Sequence, residues 1–147
     1  MSNWFECKVK YDKIMENGLP KSVSEPYLVD ALSFTEAEAR IIEEMKPYIS
    51  GEFTVANIKR VQLADIFFDE PGDKWYKAKI NYITLDEKSG AEKRTAAFML
   101  IQAKDFATSL ATLTAEMGTT MIDYEVASIT ETAIMDVFRY EVEKNQP

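Results

Sequence analysis

The sequence has no histidine and a single cysteine, Cys7, among 147 residues, with five glycines and five prolines. Without imidazole, Ser-His-Asp and Cys-His nucleophile pairs, His-ligated zinc and histidine general bases are all excluded. One thiol cannot close an intramolecular disulfide, which fits a reducing compartment. No apolar run approaches the ~20 residues of a membrane-spanning helix, and the opening Met1-Ser2-Asn3-Trp4-Phe5-Glu6 lacks the basic start and apolar stretch of a secretory signal. A cytoplasmic protein without membrane contact is expected. Positive charge is scarce too: 17 Lys and Arg stand against 25 Asp and Glu, a net charge of −8. Coating a duplex through bulk charge is disfavoured at that balance, so nucleic acid would have to be met by a locally basic face.

What is present is a hydrophobic fraction of 46% in a chain near the commonest single-domain size, enough for a core without staples. The chain also resembles itself. Trp4-Phe5-Glu6-Cys7-Lys8-Val9-Lys10-Tyr11 aligns with Trp75-Tyr76-Lys77-Ala78-Lys79-Ile80-Asn81-Tyr82 at an offset of 71 residues. Leu28-Val29-Asp30-Ala31-Leu32-Ser33-Phe34 aligns with Leu100-Ile101-Gln102-Ala103-Lys104-Asp105-Phe106 at 72, and Val55-Ala56-Asn57-Ile58 with Val126-Ala127-Ser128-Ile129 again at 71. Asp65-Ile66-Phe67 likewise matches Asp136-Val137-Phe138. The pattern predicts one domain, residues 1–147, made of two repeats over about 4–68 and 75–139 and joined by a turn at 69–74.

Each repeat reads as strand, strand, helix, strand. In residues 4–11, Trp4, Glu6, Lys8 and Lys10 alternate with Phe5, Cys7, Val9 and Tyr11, the period of a half-buried strand. Asn17-Gly18 and Ser89-Gly90 supply turns that accept positive φ, giving hairpins whose return strands run about 22–29 and 94–101. Ser33 and Glu36 form a capping box before a stripe of Phe34, Ala37, Ile41 and Met45; Asp105 caps the second stripe of Phe106, Leu110, Leu113 and Met117. Third strands follow at about 53–61 and 124–131, and the short apolar pieces at 66–68 and 137–138 read as strand or irregular chain. The expected fold is α+β: an internally duplicated β-β-α-β unit forming an antiparallel sheet, with two helices packed on one side and pseudo-twofold symmetry. The sheet face opposite the helices is then the available platform.

Catalytic chemistry has little to stand on. Asp65 and Asp136 are equivalent under the repeat and could form an acidic dyad, but an Asp ahead of a short apolar strand is more often a capping residue. Glu36, Glu38, Glu43 and Glu44 read as a solvated helix face rather than a metal site. No phosphate loop, dinucleotide fingerprint or cysteine pair is found. No enzyme activity, cofactor or metal is expected.

The candidate binding residues are Trp4, Lys8, Lys10, Trp75, Lys77, Lys79, Lys93 and Arg94, with Lys21, Lys59 and Arg60 as extensions of the same track. Aromatic rings stack on bases and lysines neutralise phosphates, the combination that holds single-stranded nucleic acid. Exposed strand lysines also deter edge aggregation, and a Trp at a strand start also covers core ends. The alternatives are a protein partner engaged through the sheet or the acidic helix face, and a homo-oligomer joined through the aromatic face.

The segment Glu25-Pro26-Tyr27-Leu28-Val29-Asp30-Ala31-Leu32-Ser33-Phe34-Thr35-Glu36-Ala37-Glu38-Ala39, the opening Asn3-Trp4-Phe5-Glu6-Cys7-Lys8-Val9 and the closing Glu131-Thr132-Ala133-Ile134-Met135-Asp136-Val137 resemble a family of small proteins of unknown function from gut Bacteroidetes and their phages. The resemblance covers most of the chain and assigns no chemistry. It implies a phage or mobile-element setting, in which single-stranded DNA binding during replication or recombination is the expected role.

Overall fold

The computed structural model describes residues 3–139. Ten elements follow one another: β1 (Asn3–Ile14), β2 (Pro20–Ala31), α1 (Phe34–Met45), β3 (Phe53–Val61), β4 (Asp65–Phe67), β5 (Lys74–Leu85), β6 (Glu92–Ala103), α2 (Phe106–Met117), β7 (Asp123–Glu131) and β8 (Asp136–Phe138). The class is α+β, and the order strand, strand, helix, strand, short strand occurs twice with matching element lengths.

Where one sheet was expected, the strands form two. One is four-stranded in the order β3-β1-β2-β8, the other β4-β6-β5-β7. Each long hairpin is antiparallel and takes its third strand antiparallel as well, whereas the short fourth strand pairs parallel. The two long hairpins sit in different sheets, and each sheet takes its short fourth strand from the other half of the sequence. β4 follows the first hairpin in sequence but pairs with β6, and β8 follows the second hairpin but pairs with β2. The described residues up to Gln62 and those from Ala133 onward make one compact unit, and Leu63–Thr132 the other. The turn at 69–74, expected to join the repeats, lies between β4 and β5 and inside the second compact unit, and the chain passes from one unit to the other near 62 and 133.

In the first unit the alternation of β1 puts Phe5, Cys7 and Val9 against α1, where they bury with Val29, Ala31, Ala37, Ile41 and Met45. In the second, Ala78, Ile80, Met99 and Ile101 bury with Leu113 and Met117 of α2. Ser109 stands where α1 has Ala37; fully buried, its hydroxyl donates to the Phe106 carbonyl at 2.6 Å. Both helices begin as their caps dictate. Ser33 Oγ accepts from the Glu36 amide at 3.1 Å, and Asp105 Oδ1 from the Thr108 amide at 2.7 Å, a bond that holds the Asp105 carboxyl below its ordinary range. The Glu36 carboxylate reaches back to the Leu32 amide, one residue before the Ser33 amide expected of a capping box.

Burial pushes the Cys7 thiol up to about 12, with the neighbouring Glu6 carboxylate adding to the shift. The neutral thiol is thus favoured by the fold, and its contribution is complete below the ordinary thiol range and lost as pH rises toward that value. A thiol reagent at pH 8 is expected to leave Cys7 untouched in the native protein and to modify it fully once denaturant unfolds the chain, as a thiol titration would show.

Gly72 is required by space. A Cβ there would lie 2.7 Å from three backbone atoms of Ala103. The approach is fixed by Gln102, whose side chain accepts from the Asp69 amide at 2.9 Å and donates to the Gly72 carbonyl at 3.0 Å. Gly72→Ala must push the turn off β6, and a loss of about 1–3 kcal/mol, typical of overpacking, is expected in urea unfolding.

Candidate functional site

Residues directly opposite in an antiparallel ladder share a face, so the register fixes which side chains stand opposite α1. Trp4 lies between Asp30 and Val61, Glu6 between Leu28 and Lys59, Lys8 between Pro26 and Asn57, and Lys10 between Ser24 and Thr54. The β2 side of this face is closed: Leu28 is 1% and Val137 of β8 is 7% exposed. The β1 and β3 side is open, with Lys8, Lys10, Thr54, Asn57 and Lys59 exposed and Trp4 half-buried at one end. Lys59 is 3.5 Å from Glu6. Lys8 and Lys10 pair with no described carboxylate.

The second unit repeats the row with changes. Lys77 lies between Leu100 and Thr130, and Lys79 between Phe98 and Ser128. The Lys77 ammonium sits 4.8 Å from the centroid of the Phe98 ring, a cation–π contact that orients it along the face. In both units β1 or β5 meets its edge strand with a register shift at the second lysine of the pattern or beside the first, at Lys8/Val9 and Lys79/Ile80, leaving Ala56 and Ala127 as the extra residues. Such bulges add twist and turn an edge away from pairing.

Several expected site residues stand elsewhere. Trp75, expected to face outward as a stacking platform, is 2% exposed and packs edge-on against Phe68, with ring centroids 5.6 Å apart. The position matching Phe68, 71 residues on, is the exposed Arg139, and Trp4 is half-buried. Lys93 opposes Thr84 and so belongs to the other side of the hairpin. Arg94 shares the lysine face, but its Nε is 2.9 Å from Glu125 and its Nη1 3.5 Å from Glu92. These carboxylates hold the Arg94 proton more tightly, and the guanidinium, helped by Asn81, keeps Glu125 below the usual carboxyl range. Lys21 opposes Lys13 at the hairpin end, and Arg60 lies over the Phe5 ring on the helix side, 5.4 Å from its centroid. Lysine rows Lys8, Lys10 and Lys77, Lys79 thus stay on the open faces, with Lys59 beside the first.

Sequence reasoning missed Asn57, Thr54, Ser128 and Thr130, which flank the lysines with hydrogen-bonding groups. Their placement depends on the bulged register of β3 and β7, for which no local signal exists. Asp65 and Asp136 each accept from the next amide, Ile66 at 2.9 Å and Val137 at 2.8 Å, so each caps its own short strand. Among the described residues no group of three acidic or cysteine side chains could hold a metal, and no helix is long and apolar enough to cross a membrane.

Two compact α+β units, each with a lysine row on the sheet face away from its helix, define the class, a small α+β protein. Residues 3–140 match the model of a domain of unknown function, DUF4494, and the chain belongs to that family. No curated protein matches the sequence.

Proposed function

We propose that this is a non-enzymatic module that binds single-stranded nucleic acid along the lysine rows, acting in phage-type replication or recombination. One observation carries the reading: Lys8 and Lys10 in the first unit and Lys77 and Lys79 in the second lie on the sheet faces away from the helices, Lys8 and Lys79 at equivalent positions of the repeat, and none has a described carboxylate partner. Cations left unpaired in a protein of net charge −8 favour an anionic ligand, and their spacing along a strand, about 6.7 Å for alternate residues, suits a chain of charges. With Trp75 sealed, base stacking rests on Trp4 alone, so affinity comes mainly from phosphate.

The test is anisotropy of a labelled oligothymidylate titrated at several salt concentrations. Each row of two lysines implies a slope of log K against log salt of about −1.4, a loss of roughly sevenfold between 50 and 200 mM. Lys8→Gln with Lys10→Gln is expected to remove binding at the first row and so to halve the oligonucleotide bound per chain. No binding at low salt, or binding that the double variant leaves unchanged, overturns the proposal. A protein partner is the second reading, favoured by the exposed Phe34 and Phe106, each 52% accessible at the start of its helix.

A further inference from the structure

β8 belongs to the first unit but follows the whole of the second in sequence. Its attachment is compact. Tyr27, Leu28 and Val29 of β2 pair with Asp136, Val137 and Phe138, and the Met135 amide donates to the Pro26 carbonyl at 2.8 Å. Val137 is buried, and the Phe138 ring stacks on Tyr27 with centroids 5.9 Å apart and planes 17° from parallel. On the other side, the Thr132 amide and hydroxyl both donate to the Trp75 carbonyl at 2.8 Å, inside the second unit. Between these two anchors lie only Ala133 and Ile134. The reverse crossing is equally brief, because Val61 still pairs with Trp4 in the first unit while the Ala64 amide already donates to the Phe98 carbonyl in the second.

We infer that β8 is an exchangeable strand, and that the β2 edge it fills accepts β8 of a second copy of this chain, giving a closed, strand-exchanged dimer. The occupant follows from the contacts. The ladder to β2, the Met135 bond and the Tyr27–Phe138 ring contact all join β8 to β2, and each is made equally well whether the two strands share a chain or come from two. Exchange conserves them all, because the same β2 edge is offered by either copy, and exchanging an identical element is a low-cost route to a dimer. Release without exchange would leave β2 as an unpaired edge with Leu28 uncovered, and a bare apolar edge is a template for another strand. The within-chain arrangement, in which each half completes the other half's sheet, is this exchange already carried out once.

The hinge is the place to test it. Deleting Ala133 and Ile134 removes about 7 Å of chain, whereas inserting Gly-Ser-Gly after Ala133 relaxes the crossing. Light scattering on a sizing column is expected to show the wild-type chain gaining a dimer when refolded from urea at high protein concentration, the deletion raising the dimer fraction at least tenfold, and the insertion abolishing it. Native mass spectrometry of isotopically light and heavy wild-type chains separates exchange from surface contact: mixed dimers must form on joint refolding and not on mixing folded samples. Should the deletion variant fail to fold, the wild-type experiment decides alone. Monomer only after concentrated refolding, or mixed dimers arising freely between folded chains, overturns the inference.

Discussion

Replacing Phe5 with alanine is expected to destabilise the first unit by about 3–5 kcal/mol, the cost of emptying a fully buried aromatic site. Phe5 is 0% exposed, at the centre of β1. Its ring takes the edge of Phe34 at a centroid distance of 5.0 Å and lies under the Arg60 guanidinium at 5.4 Å, so both neighbours lose their partner with it. The loss should not spread evenly. Leu63–Thr132 is contiguous in sequence and holds every strand of its own sheet, β4 to β7, while the first unit needs chain from both sides of it. Phe5→Ala is therefore expected to split urea unfolding into two steps, the first unit melting earlier. Each unit carries one tryptophan, so Trp4→Phe leaves Trp75 fluorescence as a reporter of the second unit alone. In the Phe5→Ala background that signal should keep its midpoint while circular dichroism shows the earlier step; a single coincident transition would show that the units unfold as one.

Much of this architecture can be read in the residues. The alternation of Phe5, Cys7 and Val9 with Glu6, Lys8 and Lys10 places the two faces of β1 as found, because period-2 burial needs no long-range information. Ser33 and Asp105 mark the helix starts for the same local reason. The sheet count was not legible. The two hairpins carry no local sign of whether they pair with each other, and β4 and β8 are three-residue strands too short to show a period, whose parallel partners lie across the repeat boundary. Trp75 was misplaced because its burial depends on Phe68, which is not preserved at the corresponding Arg139. Arg94 looked free for phosphate for a related reason: its partner Glu125 reaches it only through the bulged pairing of β7 with β5.

The pair Asp30 and Arg40 shows how the two units solve one structural problem differently. Arg40 Nη1 on α1 donates to both the backbone carbonyl and the carboxylate of Asp30 at the end of β2, and the two side chains are only 16% and 11% exposed. The corresponding positions 72 residues on are Gln102 and Thr112, a neutral combination in which Gln102 turns to the Asp69 amide and the Gly72 carbonyl. Charge is therefore not required at this site by the fold. Removing one charge alone is another matter, because the remaining one stays in a poorly solvated place. Arg40→Ala is expected to cost about 3–5 kcal/mol, the usual penalty for stranding a buried ion. The double variant Asp30→Gln with Arg40→Thr, which copies the second unit, is expected to lose clearly less than the single one. Urea midpoints for the wild type, Asp30→Gln, Arg40→Thr and the double variant close the cycle, with Arg40→Ala measured beside them. If the double variant falls as far as Arg40→Ala, the pair contributes through packing of the arginine stem rather than through its charge.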